Sequence, residues 1–443
     1  MSDNIKIVYS WIGPIGPVWN TEFPNLLSLS VVSGYANATT TRVDSDDIYL
    51  KIFKGGWEKT RKEGFRLGAV MDMSKEDMFV YPFSLSWRIP LERYFQQGEG
   101  LLEFSHTPHH IINLVRNGRG FFLTDQSLEA FVDYSQLHRI HSYFQTSGIP
   151  LNKVIHLTGC MNANEVYRGF LRDNNLSTDP KDMINILSYP THQTNMVRAI
   201  NNSKWVEPIY NTETVPSKLF LTWNRRFRSH RIDLVLGLEK LNLVERSYIS
   251  MGVVDPEQAH HNFAQVAGGG SPELGTDGSH VVRFFNRLPL EVDHEKDLLS
   301  MCSELKGTTG NFYKDSLISI VTETNYNQNE VTATEKTFKP MMHKHPLIMV
   351  GSPKTLQALK DMGYKTFGQW WSEQYDNIHD PTERMKEIYR IIEEIGTWSN
   401  EKILQFKKEV QPTVEHNYEI VKKDIAETIA SQIDALVRKH SES

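Results

Sequence analysis

The stretch from residue 312 to residue 351 constrains the fold of this chain more than any other part of the sequence. Residues 317–321 read Leu-Ile-Ser-Ile-Val, a short apolar run rich in β-branched side chains, which is typical of a buried parallel strand. After a polar, Asn-rich loop, Thr334 can cap a helix. Residues 346–351 form a second apolar run that ends in glycine. This order of strand, loop, helix and strand predicts part of an open α/β sheet.

The first turn of the predicted helix places a carboxylate, Glu335, beside an ammonium, Lys336. Both residues are expected at a helix N-terminus, above the carboxyl end of a strand. Nucleotides and phosphates bind at this edge of open α/β sheets. The pattern therefore favours a nucleotide or phosphate site, and the alternative is a solvated helix start with an incidental charge pair.

The same residues carry a resemblance to a known family. Thr-Glu-Lys at 334–336, with the flanking strands, resembles the donor-binding segment of the α-1,3-fucosyltransferases, in which a strand ending in an acidic residue leads to Thr-Glu-Lys. Residues 334–340 of this chain resemble glycosyltransferase-like proteins of bacteriophages and large viruses more closely, since those proteins share the sequence Thr-Glu-Lys-Thr-Phe-Lys-Pro. The resemblance covers residues 312–351 well and is much weaker elsewhere. It implies that Glu335 contacts the donor ribose, that Lys336 contacts the donor phosphates, and that Glu323, the acidic residue after the strand, belongs to the donor site.

The resemblance also implies an α/β fold of the GT-B-like type, with two Rossmann-like, doubly wound domains facing across a cleft and a helical C-terminal tail. We assign residues 1–205 to an acceptor-side domain, 216–380 to a nucleotide-sugar-binding domain, and 381–443 to helices that pack back across the domains. Residues 201–217 have little periodicity and contain two prolines, which favours a linker. One apolar stripe on the last helix is expected to pack against the domains, with a dimer seam as the alternative. It consists of Ile425, Ile429, Ile433 and Leu436.

Strand and helix patterns alternate regularly after residue 106, which predicts a parallel, doubly wound sheet. The predicted strands are 120–124, 153–158 and 184–188, and the predicted helices are 109–117, 125–146, 164–172 and 192–201. A second series of strands begins at residues 218–223, after the predicted linker.

A cluster of arginines follows that strand, at the junction with a helix that Ser229 can cap. The planar donors of arginine suit a diphosphate, and a helix N-terminus already favours an anion. A basic residue here also matches the fucosyltransferase-like pattern, which implies an arginine that neutralises the departing nucleotide. We assign Arg225 and Arg226 to the donor site, with Arg231 as a reserve. The alternatives are a solvated basic turn and a contact to DNA phosphates.

A nucleotide-sugar transferase also needs a base that deprotonates the acceptor hydroxyl. Asp125 and Glu129 follow the predicted strand 121–124 at its carboxyl end, so we expect one of them to be the general base. Glu129 could instead be a solvated helix residue, and His110 is an alternative base.

The sequence predicts no metal site and no obligatory cofactor beyond the nucleotide-sugar donor. Asp44 and Asp46 form an Asp-x-Asp, which binds Mn²⁺ in the other glycosyltransferase architecture, but no clear apolar strand precedes it. His106, His109 and His110 cluster without cysteine ligands and match no standard zinc spacing. Cationic side chains and a helix N-terminus can stabilise a leaving diphosphate without a metal.

Composition limits the partners and the compartment. The net charge of −6 gives no overall attraction for nucleic acid, so a DNA contact needs a local basic face. The two cysteines are far apart in sequence, which argues for a reducing compartment. The first residues lack a signal-peptide pattern and no run is long enough to cross a membrane. We predict a cytoplasmic protein without a membrane partner, in the host cytoplasm if its origin is a phage.

The expected function is the transfer of a sugar from a nucleoside-diphosphate sugar to an acceptor hydroxyl. The resemblance to bacteriophage proteins makes a hydroxymethylated pyrimidine in phage DNA one candidate acceptor, and a cell-surface glycan is the other. A non-catalytic nucleotide-binding scaffold is the alternative from a different class. Phosphate chemistry of the P-loop type is disfavoured, because the chain has no Walker motif.

Overall fold

The computed structural model describes residues 5–9, 65–69, 79–82, 109–127, 133–202, 205–224, 228–251, 309–423 and 425–439. The chain divides into two compact units. The first combines Met1–Tyr189 with Ile425–Ser443, and the second is Pro190–Asp424. Each unit contains a parallel sheet with helices, so the predicted α/β fold class is confirmed. The predicted cleft between two facing domains stays a prediction.

The described strands and helices alternate for most of the chain. The strands are β1 (Ile5–Tyr9), β2 (Phe65–Ala69), β3 (Phe79–Pro82), β4 (Gly120–Gln126), β5 (Val154–Thr158), β6 (Asn185–Ser188), β7 (Lys218–Asn224), β8 (Ser247–Met251), β9 (Ser316–Thr322) and β10 (Leu347–Val350). The helices are α1 (His109–Arg116), α2 (Tyr134–Thr146), α3 (Ala163–Asp173), α4 (Thr191–Asn202), α5 (Ser229–Lys240), α6 (Thr309–Lys314), α7 (Glu335–Met342), α8 (Thr355–Asp361), α9 (Pro381–Gly396), α10 (Asn400–Val421) and α11 (Ala426–Lys439).

The sheet of the first unit has the order β2-β1-β3-β4-β5-β6, and every neighbouring pair is parallel. One apolar core includes Phe122, Phe144 and Phe170, from β4, α2 and α3. The second core brings α11 onto the sheet, since Ile429 and Ile433 cluster with residues of β4 and β5. The apolar stripe predicted on the last helix therefore packs inside the chain's own first unit.

The boundary between β4 and α2 differs from the prediction. A helix over 125–146 is wrong at its start, because β4 continues to Gln126 and Asp125 pairs in register with Leu157 of β5. The helix begins only at Tyr134. Asp133 is its N-cap, and the Oδ1 atom of Asp133 accepts a hydrogen bond from the amide of Gln136 at 3.0 Å. Strand pairing and this cap together set the boundary.

The sheet of the second unit has the order β10-β9-β7-β8 and is also parallel in every pair. The chain places β8 on one side of β7 and then returns to place β9 on the other side. The strand order therefore reverses between β7 and β9, and ligands of open α/β sheets bind outside the carboxyl ends of the strands at such a point.

The compact units divide the chain at other residues than the predicted domains. Helix α4 and the irregular residues 205–217 belong to the second unit rather than to the first domain and a linker. Helix α4 packs on α7 and α10. Trp205 Nε1 donates to the hydroxyl of Tyr418 at 3.3 Å, and Lys407 Nζ donates to the carbonyl of Thr214 at 2.7 Å. These contacts fasten the predicted linker along the second unit.

Among the described helices, none combines the length and the low charge that crossing a bilayer requires.

Candidate functional site

The carboxyl ends of β7 and β9 form the edge at which the strand order reverses, hereafter the switch edge. Strand β7 ends at Asn224 and β9 at Thr322, and the Thr322 hydroxyl donates to Asn224 Oδ1 at 2.6 Å. Helix α5 follows β7 and α7 follows β9, so both helices begin at this edge. A helix N-terminus presents unsatisfied amides and a partial positive charge, which favour an anion.

Glu323, the first residue after β9, fastens the start of α7 to the switch edge. Its side chain is fully buried, and the carboxylate accepts four hydrogen bonds. Thr334 donates from its amide to Oε1 at 2.8 Å and from its hydroxyl to Oε2 at 2.7 Å. Thr337 donates from its hydroxyl to Oε1 at 2.5 Å, and Thr324 from its amide to Oε2 at 3.2 Å. These four hydrogen bonds hold the start of α7 against the end of β9, and the predicted contact of Glu323 with the donor stays a prediction.

The tip of α7 carries the charge pair that the sequence predicted. Thr334 caps the helix through its hydroxyl, which accepts from the amide of Lys336, as predicted. Lys336 Nζ donates to Glu335 Oε1 at 2.8 Å and to Thr334 Oγ1 at 3.0 Å. The side chains of Glu335 and Lys336 are 20% and 17% exposed. Both therefore keep access to solvent at the helix N-terminus, where a ligand can reach them.

His192, in the first turn of α4, is the site residue that sequence reasoning missed. Its Nδ1 atom lies 3.6 Å from Glu335 Oε2. The sequence assigned this helix to the other domain, and nothing in the local pattern links residue 192 to residue 335. Only the packing of α4 on α7 brings the two side chains together.

The pKa of Glu335 is lowered from 4.5 to about 2. Burial raises this pKa, but the charges of Lys336 and His192 and the hydrogen bond from Lys336 outweigh burial. Because the folded pKa lies below the unfolded value, the ionised carboxylate stabilises the fold above pH 4.5, and this contribution is lost as the pH falls towards about 2. We expect Glu335→Gln to lower the free energy of unfolding near neutral pH by up to about 3 kcal/mol.

Urea unfolding of the unmodified chain and of Glu335→Gln, compared between about pH 7 and pH 3, measures this effect. The difference in stability between the two chains should shrink as the pH falls through the stated window. A difference that stays constant would show that the ionised form of Glu335 has no part in it.

The start of α5 lies against the end of β9. Arg231 is 2% exposed, and its guanidinium donates to the carbonyls of Thr322 at 3.2 Å and Glu323 at 3.4 Å. His230 Nε2 donates to the carbonyl of Glu323 at 3.0 Å. The buried Arg231 side chain therefore holds the start of α5 against the carboxyl end of β9. The prediction that Ser229 caps α5 is wrong. The N-cap residue is Arg228, and the side chain of Arg228 makes no cap hydrogen bond.

These contacts connect the two predicted parts of the donor site. Arg231 bonds to the backbone of residue 323, and the side chain of Glu323 bonds to Thr334 at the tip of α7. The start of α5, with Arg231, and the Glu335–Lys336 tip consequently lie at one edge of one sheet. Arg225 and Arg226 lie outside the described residues, directly after β7 in sequence.

The residues predicted for catalysis and metal binding are only partly described. Asp125 lies in β4 near its carboxyl end, and Glu129 lies outside the described residues. His109 and His110 open α1, whereas His106 and the Asp44-x-Asp46 pattern fall outside the described part of the chain. Within that part, no group of His, Cys, Asp and Glu side chains is arranged to hold a metal ion.

Comparisons with known proteins found weak structural likeness alone. No protein-family profile matches the chain, and no curated protein matches it. A structure described as trehalose-6-phosphate from E. coli bound with UDP-2-fluoro glucose has 10% identity and a TM-score of 0.41, over 98% of this chain and 99% of that chain. An α,α-trehalose 6-phosphate synthase from Burkholderia multivorans has 10% identity and a TM-score of 0.42, over 99% and 96%. A trehalose-6-phosphate synthase studied with bisubstrate glycomimetics has 10% identity and a TM-score of 0.38, over 94% and 84%. At this identity and these TM-scores, the matches carry no information about the activity of this chain.

Proposed function

We propose that this protein is a glycosyltransferase that binds a nucleoside-diphosphate sugar at the switch edge and transfers the sugar to an acceptor hydroxyl. The observation that carries the proposal is the tip of α7. A partly buried carboxylate–ammonium pair lies there at a helix N-terminus, beside the point where the strand order reverses.

The remaining hydrogen-bond donor of Lys336 and the acceptors of Glu335 suit the phosphate and the ribose of a nucleotide. Lys336 uses two of its three ammonium protons, on Glu335 and Thr334, which leaves one for a phosphate oxygen. Glu335 is ionised near neutral pH, so its carboxylate only accepts hydrogen bonds, and ribose hydroxyls are matching donors. Arg225 and Arg226 directly follow β7 in the sequence, and we expect them to supply further charge for the diphosphate.

The chemistry that we propose needs charge stabilisation and one base. Lys336, the two arginines and the α7 N-terminus stabilise the negative charge that develops on the departing nucleoside diphosphate. A carboxylate from the first unit, Asp125 or Glu129, takes the proton from the acceptor hydroxyl.

Three basic residues of the first unit, Arg116, Arg119 and Lys153, do not support DNA as the acceptor. Arg116 is the last residue of α1 and Arg119 directly precedes β4, so both lie towards the amino edge of the sheet, whereas Asp125 lies near the carboxyl end of β4. Lys153 is buried, with Nζ 4.6 Å from the centroid of the Phe121 ring. We therefore place a glycan acceptor ahead of a hydroxymethylated pyrimidine. Transfer assays on both substrates, and the salt dependence of any DNA binding, separate the two.

Lys336→Ala is expected to weaken nucleoside-diphosphate binding about tenfold to a hundredfold, because a charge-assisted hydrogen bond to phosphate is lost. Isothermal titration calorimetry with a panel of nucleoside diphosphates measures the affinity directly. In a thermal melt, a diphosphate at a hundred times its Kd should stabilise the unmodified chain by about 2.7 kcal/mol. The same concentration should stabilise Lys336→Ala much less.

Lys402→Ala is the matched control. Lys402 is a half-exposed lysine near the start of α10 whose Nζ lies 3.6 Å from Glu394. Lys402 also lies far from the switch edge. Arg246 Nη1 donates to the carbonyl of Gly396, so the end of α9 lies beside the residues that lead into β8, at the opposite, amino edge of the sheet. Lys402→Ala should bind a diphosphate normally. Equal affinities for the unmodified chain and Lys336→Ala would contradict the proposed donor site. If the unmodified chain binds no nucleoside diphosphate at all, the proposed function itself is contradicted.

A further inference from the structure

A buried stack in the loop between β9 and α7 has no part in the chemistry proposed above. The Tyr326 ring lies against the His230 imidazole, with ring centroids 5.1 Å apart and planes 19° apart. The Arg384 guanidinium also stacks on Tyr326, with Cζ 4.3 Å from the ring centroid. His230 belongs to the first turn of α5, and Arg384 to the first turn of α9. The ring of Tyr326 thus connects the loop to the starts of two helices.

Arg384 is a costly residue to bury, yet it is 1% exposed. Its guanidinium donates to the carbonyls of Ile378 at 2.6 Å and His379 at 3.1 Å, and also to the carbonyl of Tyr326. An apolar side chain could fill the space without desolvating a charge, but it could not bond to carbonyls of two separate segments. The planar fork therefore ties the loop at residue 326 to the segment that leads into α9.

The rest of the stack holds the loop in the same place. Burial and the charges of Arg231, Arg228 and Arg384 lower the pKa of His230 to about 3, although its bond to Glu323 opposes this. The imidazole is therefore neutral near neutral pH, and its Nε2 carries the proton that it donates to the carbonyl of Glu323. On the other side, the Tyr326 hydroxyl donates to the carbonyl of Pro381 at 2.6 Å.

We propose that Arg384 is a positioning residue of the donor site, an inference that rests on the proposed function. With Tyr326 it fixes the first part of the loop, while Glu323 connects the two ends through its bonds to Thr334. A loop that is ordered before the donor arrives does not cost ordering entropy when the donor binds. Arg384 therefore strengthens donor binding without touching the donor.

Arg384→Gln is the test, and Arg246→Gln is its matched control. Arg246 also donates from its guanidinium to a backbone carbonyl, that of Gly396 at 2.5 Å, but it is exposed and lies at the opposite end of α9. In Arg384→Gln we expect amide hydrogen exchange in residues 324–333 to be about tenfold faster, with β9 and α10 still protected. The donor KM should rise about tenfold while kcat changes less than about twofold. Arg246→Gln should change none of these quantities.

Tyr326→Leu provides a second test if Arg384→Gln does not fold. It removes the ring and leaves the bonds of Arg384 to residues 378 and 379, and it should change exchange and donor KM in the same direction. Unchanged exchange in the loop overturns the proposal. Faster exchange throughout the second unit, with kcat and KM both affected, also overturns it, because the residue is then only structural. Faster exchange confined to the loop, in a chain whose unmodified form binds no diphosphate, contradicts the proposed function and reduces Arg384 to a loop anchor.

Discussion

Glu323→Ala is expected to lower the free energy of unfolding of the second unit by about 3 kcal/mol or more. The substitution leaves the amides of Thr324 and Thr334 and two threonine hydroxyls without their acceptor, in places that are partly or fully buried. The hydroxyls can turn towards other acceptors, but the amides are fixed by the backbone, and a buried donor left unpaired costs about 1–3 kcal/mol. Chemical denaturation followed by circular dichroism measures the loss.

The same variant should weaken nucleoside-diphosphate binding, because Glu323 holds the tip of α7. Glu323→Gln keeps the shape and one oxygen acceptor, so we expect a smaller loss, about 1 kcal/mol. Glu373→Ala is the matched control: its carboxylate accepts from the amide of Phe367 at 2.7 Å and from the hydroxyl of Thr366 at 2.8 Å. It should lose stability and keep its diphosphate affinity. Unchanged affinity in Glu323→Ala would separate the tip of α7 from donor binding.

Asp125→Asn or Glu129→Gln is expected to lower kcat about 10²-fold to 10⁴-fold, because an amide cannot take the proton of the acceptor hydroxyl. Whichever residue is the base, nucleoside-diphosphate affinity should not change, since the proposed donor residues lie in the second unit. Steady-state turnover and calorimetry on the same preparations measure both quantities.

Asp133→Asn is the control for this pair. The Asp133 carboxylate caps α2, and asparagine is an equally good N-cap residue, so both folding and turnover should be retained. His110→Gln tests the alternative base at the start of α1. Full turnover in all three variants of Asp125, Glu129 and His110 would contradict a base from this part of the first unit.

The sequence predicts the buried strands well, because a strand covered on both faces is a continuous apolar run. Strand β5 was expected at 153–158 and is Val154–Thr158, with every residue buried. The strands β2 and β3 were not predicted. Strand β2 contains an arginine and a glycine, and β3 ends in proline, so neither reads as an apolar run.

Part of the candidate site follows from local sequence patterns, and part depends on tertiary packing that the sequence does not reveal. Thr334, Glu335 and Lys336 are neighbours in sequence, and a capped helix start is a local pattern, so the sequence could place them. The buried roles of Glu323 and Arg231 depend on which donors and carbonyls surround them, and this follows only from packing. Glu323 and Arg231 are polar residue types that are rarely fully buried, so the sequence favoured an exposed binding role for both.

The position of α11 has a consequence for the order of folding on the ribosome. Ile429, Ile433 and Val437 complete the core around Phe121 and Leu123, so this core cannot close until residues about three hundred positions later have been made. The intervening 190–424 segment contains all four described strands of the second sheet and can fold as soon as it has been translated. Until then the nascent sheet of the first unit exposes one apolar face, and removal of residues 425–439 should leave this unit prone to aggregation.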